Sequence, residues 1–208
     1  MMDLQHTKNI IFDLGGVIIN LNPNAVINTF KNLVKDTYPA MEQDLYENKV
    51  LEKYEKGQYT SSDFISFFRS YDSRLLEQDI VEAWNSMLLD IPEERIFLIR
   101  NLSRKYRIFL LSNTNEIHMN HINSYMADEY GFKDMSYLFE KAYYSHLMGL
   151  RKPQPSIFET ILNENKLVAE ETLFIDDSEE HIIAAKQLNL KTYHLKHPET
   201  ITDIFHEH

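Results

Sequence analysis

The sequence predicts an α/β fold: a parallel sheet covered by helices on both faces, three layers in all, interrupted by an all-helical insert. Three observations predict it. Short apolar runs stop on acids, as in Ile10-Ile11-Phe12-Asp13 and Leu173-Phe174-Ile175-Asp176, the pattern of strands buried on both faces. After Pro92 such runs alternate with helical patterns, the order that builds a parallel sheet through crossovers. The opening run finds its partners only after a long helical stretch, so that stretch is an insert. The division expected is a core of residues 1–20 and 91–208 and a helical unit of residues 21–90.

Each element follows from its residues. After the first strand, Asn22-Pro23 starts a helix, with Asn as N-cap and Pro at the first helical position. Ile27, Phe30, Leu33 and Val34 give it an apolar face, and Pro39 is read as its end. A second helix runs to about Tyr54 and stops at Gly57, a left-handed cap. A third, capped within Thr60-Ser61-Ser62-Asp63, carries Phe64, Phe67 and Phe68. A fourth, from about Glu77 to Leu88, carries Ile80, Val81 and Trp84. The insert therefore reads as four helices without a strand.

Beyond Pro92 a helix with Ile96, Ile99 and Leu102 inward precedes the strand Arg107–Ser112. A helix from about Glu116 to Tyr130, capped by Gly131, leads to a short strand near Ala142–Ser145. A helix from Ser156 to Lys166 precedes the strand Thr172–Asp176. Ser178 caps the next helix, with Glu179 and Glu180 placed to complement its dipole. Lys191–Leu195 is the last strand, followed by a short terminal helix.

Composition narrows the function classes. With 208 residues, 43% hydrophobic and 25% charged, the chain is globular in character. The absence of cysteine excludes disulfides and thiolate chemistry, and is compatible with a reducing cytoplasm, the expected location. No apolar run is long enough to span a membrane, and the first residues lack the hydrophobic core of a signal peptide. A net charge of −11 argues against a nucleic-acid backbone as partner. It also means that binding a phosphate requires local cations. The nine histidines are scattered and receive no role. Nothing in the sequence signals an oligomeric state.

The strand ends carry the chemistry. In a parallel sheet their carboxyl ends lie along one edge, where such sheets bind ligands. That edge would gather Asp13, Ser112-Asn113-Thr114, Lys152 and Asp176-Asp177. Carboxylates crowded there repel one another, and a hard divalent cation relieves the repulsion. Lys152 supplies a fixed positive charge for a phosphate oxygen, and the Ser112 hydroxyl supplies a hydrogen bond. Asp13 is then a suitable in-line nucleophile on phosphorus. Singly, each residue has a plainer reading: Asp13 as a turn-starter, Ser-Asn-Thr as a helix cap, Lys152 as a solvated loop residue. Together, in this order, they make chance a poor explanation.

The pattern resembles the haloacid dehalogenase superfamily, whose fold is a three-layer Rossmann-like sheet with a small helical cap after the first strand. Its four motifs resemble Ile11-Phe12-Asp13-Leu14-Gly15-Gly16-Val17, Leu110-Leu111-Ser112-Asn113-Thr114, Lys152-Pro153 and Phe174-Ile175-Asp176-Asp177-Ser178. The resemblance covers essentially the whole chain. It implies a phosphomonoesterase that forms an aspartyl-phosphate and uses Mg²⁺. Asp13 would be the nucleophile and a metal ligand, Gly15 a ligand through its backbone carbonyl, and Asp177 the third. Ser112 and Asn113 would bind the phosphoryl group and Lys152 would neutralise it. Asp176 would share the metal or orient Lys152. The wording of the motifs is similar to a bacterial subgroup that includes phosphatases of α-D-glucose 1-phosphate, so the partner expected is a small phosphorylated metabolite.

One position departs from the family. Most of its phosphatases carry a second Asp two residues after the nucleophile, as general acid and base, where this chain has Gly15. Such assistance is worth about 10²–10⁴-fold. Water, Glu116 or a residue of the helical insert would have to supply the proton, or the leaving group would need little help. A phosphate-binding domain without catalysis is the alternative, and a dehalogenase, which needs no acidic pair at 176 and 177, a more distant one. Substrate selection is expected in the insert, near Glu55-Lys56-Gly57 or Trp84, although core packing explains Trp84 equally well.

Overall fold

The computed structural model describes residues 4–205, so the C-terminal His206 and His208 and the first three residues lie outside it. Among the described residues, five parallel strands form the sheet in the order β3-β2-β1-β4-β5. They are β1 (Asn9–Phe12), β2 (Arg107–Ser112), β3 (Lys141–Tyr144), β4 (Thr172–Asp176) and β5 (Lys191–His194). The first strand is thus central, with Phe12 in register with Leu110 on one side and Ile175 on the other.

Alternation along the strands sorts the core into two layers. Ile10, Phe12, Leu110 and Ile175 face one set of helices: α6 (Glu93–Leu102), α7 (Glu116–Tyr130) and α11 (Ile201–Phe205). Ile11, Phe109, Leu111 and Phe174 face the other: α9 (Pro155–Asn165) and α10 (Glu179–Gln187), while the one-turn α8 (Ser145–Met148) follows β3 directly. This is the three-layer fold that the alternating pattern predicts. Both β2 and β4 have the expected limits, and Gly131 caps α7 with φ of 67°.

The insert departs from the four-helix reading. Among the described residues it contains five α-helices: α1 (Pro23–Val34), α2 (Tyr38–Glu47), α3 (Val50–Glu55), α4 (Ser61–Arg69) and α5 (Glu77–Asn85). Pro39 does not end the first helix; it lies in the first turn of α2, where a missing N–H costs nothing. The breaks fall instead at Lys35 and Lys49, which take positive φ of 42° and 51°. These turns have no Gly or Pro to announce them. Gly57 behaves as predicted: its N–H bonds the Tyr54 carbonyl while the Gln58 N–H reaches back to Lys53, a Schellman cap. Thr60 and Asp63 close a reciprocal capping box on α4.

The insert has its own apolar core of Phe30, Tyr54, Phe64, Phe68, Ile80 and neighbours. One residue in it, Ile117, belongs to α7 of the sheet domain. The insert is therefore seated on the helix that begins just beyond β2. Among the described residues no helix is long and apolar enough to cross a membrane.

Candidate active site

The carboxyl edge of β1, β2 and β4 brings the predicted residues together. Asp13 follows β1 directly, and its N–H continues the ladder to the Ile175 carbonyl at 2.9 Å. The chain then turns through Leu14 to Ile19, a loop held by Arg95, whose guanidinium donates to the Ile18 carbonyl at 3.0 Å. Gly16 has φ of 70°, and a Cβ there would lie 2.2 Å from Asp177 Oδ2. The second glycine of the pair is thus required both by its turn and by the approach of the acid from β4.

Lys152 is the hub. It is fully buried, and its ammonium donates to Asp13 Oδ1 at 2.6 Å, Asp176 Oδ2 at 2.6 Å and the Leu111 carbonyl at 3.0 Å. Three donors meet three acceptors, which satisfies the buried charge. Desolvation opposes the charged form, yet the two carboxylates outweigh it and raise Lys152 above the usual lysine range. Burial likewise opposes ionisation of Asp176, but Lys152 and His181 overcome it and hold that carboxyl down to about 2. Asp13 ends on the other side of the balance. Burial, with the charge of Asp176 adding to it, pushes Asp13 up to about 7 against the pull of Lys152.

Asp176 makes the contact that orienting Lys152 requires, and its carboxylate also stands in the acidic trio that could hold a metal. Its second oxygen accepts from the Ser178 N–H at 2.8 Å and lies 2.9 Å from His181 Nδ1. His181 was not anticipated. Its signal is positional: it stands in the first turn of α10, five residues beyond Asp176, facing back along the strand end. Ser178 was expected to cap this helix with its side chain but makes no such bond; Asp176 takes the Ser178 N–H instead.

Asp13, Asp176 and Asp177 each offer an oxygen within 4.8 Å of the others. Two are buried, and Asp177 lies exposed at the rim. A single lysine between these acids leaves excess negative charge, which a hard cation with oxygen ligands offsets; the donor set fits Mg²⁺.

Two expected phosphoryl ligands differ in their surroundings. Ser112 is buried at the end of β2. Asn113 has its side chain committed: Oδ1 accepts from the Lys152 N–H at 2.9 Å and Nδ2 donates to the Lys152 carbonyl at 3.0 Å. Instead of reaching for a substrate, that amide clamps the loop bearing the hub lysine. Only the Asn113 backbone remains suited to the contact expected of it.

The insert reaches the edge at two places. Tyr54 accepts from the Ile117 N–H at 3.2 Å and pairs with Ser61 Oγ at 2.9 Å, and Ser61 donates to Glu116 Oε2 at 2.5 Å. Glu55 forms an ion pair with Arg151 Nε at 2.9 Å, its N–H not aligned as a hydrogen bond. Trp84 is stacked on His118 at 4.8 Å, lies against Phe64, and donates its indole N–H to Asn115 Oδ1 at 3.3 Å.

The family model for haloacid dehalogenase-like hydrolases matches residues 10–195. The chain belongs to this family. Among curated relatives, D-ribitol-5-phosphate phosphatase of Bacteroides thetaiotaomicron is 27% identical over 187 residues, 89% of this chain and 90% of the relative. A solved haloacid dehalogenase family enzyme of the same organism superposes with TM-score 0.88 at 34% identity, covering 96% of this chain and 98% of the other. That enzyme has also been solved with magnesium and inorganic phosphate, with TM-score 0.85, 33% identity, and 96% and 99% coverage. A predicted haloacid dehalogenase-like hydrolase from Porphyromonas gingivalis gives 0.86 at 31% identity, covering 97% and 98%.

Proposed function

We propose that this protein is a magnesium-dependent phosphomonoesterase that forms an aspartyl-phosphate on Asp13. The observation that carries the reading is the Lys152 ammonium 2.6 Å from both Asp13 and Asp176, with Asp177 completing an acidic trio. Support comes from a relative named for phosphatase activity and a structural neighbour that holds magnesium and phosphate.

The residues divide the work. Asp13, Asp177 and the Gly15 carbonyl are the proposed holders of Mg²⁺, which supplies charge neutralisation for the phosphoryl oxygens when bound. Ser112 Oγ and the Asn113 N–H receive one phosphoryl oxygen. Lys152 exchanges its bond to Asp13 for another phosphoryl oxygen, as Asp176 and Leu111 keep it in place. Asp13 attacks phosphorus in line, the ester oxygen departs, and water then releases phosphate from Asp13. The helical insert acts as a cap over this edge.

The substrate class proposed is a small polyhydroxylated phosphate. The subgroup resemblance offers α-D-glucose 1-phosphate, and the relative's name offers D-ribitol 5-phosphate. A silent phosphate-binding domain is disfavoured because three acids and a lysine at one buried edge are costly to retain without use.

The test is a panel of both esters and p-nitrophenyl phosphate, assayed with Mg²⁺, with chelator, and with Asp13→Asn. Turnover should fall at least about a thousandfold in the variant, and chelation should abolish it reversibly. No turnover above the variant's rate on any ester would sink the reading.

A further inference from the structure

The phosphatase reading leaves a proton unaccounted for, because an alkoxide leaving from phosphorus needs one and Gly15 carries no acid. A Cβ on Gly15 would meet only the tip of the Leu21 side chain, Cδ1 at 2.8 Å. The acids of the edge are already employed, Asp13 and Asp177 toward the metal and Asp176 on Lys152 and His181. Glu116 is exposed, and its carboxylate is tied by the Ser61 hydroxyl at 2.5 Å.

Glu55 differs from all of these. It ends α3 in the insert, yet its carboxylate pairs with Arg151, the residue immediately before the hub lysine. Both side chains stay partly exposed to solvent, 24% for Glu55 and 29% for Arg151. The turn after Glu55 presses on the sheet domain: a Cβ on Gly57 would lie 2.2 Å from the His146 carbonyl, at φ of 64° where only glycine is comfortable. That contact fixes the height of Glu55 above the edge. From there it lies within the electrostatic field of Lys152 and His181.

We infer that Glu55 is the general acid and base of the reaction, supplied by the insert in place of the carboxylate absent at position 15. The inference rests on the phosphatase reading. In the first step the Asp13 Oδ–phosphorus bond forms as the phosphorus–ester oxygen bond breaks, and the Glu55 carboxyl proton goes to the departing oxygen. In the second step the oxygen of water bonds phosphorus, the bond to Asp13 breaks, and the water proton returns to Glu55. The cycle consumes one ester and one water, yields alcohol and phosphate, and restores both carboxyl groups. The environment suits a proton donor. Burial raises Glu55 above the usual carboxylate range against the pull of Arg151 first, then Lys152 and His181. The C-terminal end of α3 adds negative potential. Arg151 steadies the carboxylate left after donation.

The test compares kcat/KM on two esters that carry no hydroxyl for Glu55 to recognise, propyl phosphate and p-nitrophenyl phosphate. Alkoxide departure needs protonation and nitrophenolate departure does not; kcat/KM reports the first step in both. Glu55→Gln should lose about 10²–10⁴-fold on propyl phosphate and stay within about threefold on the nitrophenyl ester, with Glu55→Asp recovering part of the loss. Equal losses on the two esters would make Glu55 a structural latch and overturn the inference, as would no loss on either. If wild type hydrolyses neither these two nor the sugar and polyol phosphates faster than Asp13→Asn, the phosphatase reading itself has failed. The circular dichroism spectrum and urea midpoint of Glu55→Gln, compared with wild type, serve as the folding control.

Discussion

The edge of the sheet and the insert that faces it both bury large side chains, but they do so by different physics. At the edge the buried group is an ammonium, with every donor matched to an oxygen by the ends of β1, β2 and β4. In the insert the buried groups are rings: Phe64 stacks on Tyr54 at 4.3 Å and meets Phe68 edge-on at 5.0 Å. The first arrangement is fixed by backbone register and is costly if one partner is lost. The second is fixed by shape, and can be altered a ring at a time. A catalytic centre benefits from the former, since it must hold oxygens to tenths of an ångström. The insert, proposed above as a cap, needs only to seat reproducibly, and Ile117 of α7 enters its core.

Removing the hub should produce the largest effect. Lys152→Met leaves Asp13 and Asp176 facing each other without a cation, and breaking such a buried pair costs about 3–5 kcal/mol. Phosphatase turnover should fall by at least about a thousandfold, beyond the stability loss. Urea denaturation with and without Mg²⁺ sharpens the point. Added metal should recover part of the lost stability, because it replaces the missing positive charge. A variant as stable as wild type would mean that Asp13 accepts a proton there at little cost.

How far each region could be read from the sequence follows the same division. Asp13, Ser112 and Asp176 sit at or next to the ends of apolar runs, strand ends in a parallel sheet must converge, and Lys152 stands in a loop between two of those strands in the chain order. Their types and order therefore located the edge, and β2 and β4 have the limits their residues suggest. What stayed hidden were groups acting through tertiary approach. His181 reaches Asp176 because of the pitch of α10, and Asn113 spends its amide on the backbone around Lys152. The Glu55–Arg151 pair joins residues from different units. In the insert, Pro39 misled because proline ends helices and also begins them. The true breaks, at Lys35 and Lys49, take positive φ on residues with no such preference.

The insert's shape-based core predicts a second, smaller effect. Phe64→Ala removes a ring that touches Tyr54, Phe68 and Trp84, at a cost of about 3–5 kcal/mol for a buried aromatic. Trp84 is the chain's single tryptophan and lies where the insert meets α7. Its fluorescence therefore follows the insert, while far-ultraviolet circular dichroism follows the whole chain. In wild type the two urea transitions should coincide. In Phe64→Ala the fluorescence transition should come earlier, because the sheet domain retains its own two core layers. Coincident transitions in the variant would show instead that the insert and sheet unfold as one unit.

The smallest effect expected tests the seat between the two regions. His118 lies beneath Trp84, its Nδ1 3.2 Å from Asn115 Nδ2 and its Nε2 3.2 Å from the Trp84 carbonyl. Burial pushes it down to about 4, and the neighbouring His121 adds to the lowering despite the Trp84 carbonyl. An unfolded chain would protonate it near its ordinary value of 6.5. Between these values the unfolded state binds a proton that the folded state refuses, so stability falls as pH drops through 6.5 and levels off below about 4. From pH 7.5 to 5 this amounts to about 2 kcal/mol. Carboxylates contribute their own slope in the same range, so the measurement is a difference: urea stability of wild type minus His118→Gln at each pH. That difference should shrink by about 2 kcal/mol on acidification. A constant difference would mean that His118 charges in place, with water admitted between Trp84 and α7, and that the seat of the insert is looser than its stacked rings imply.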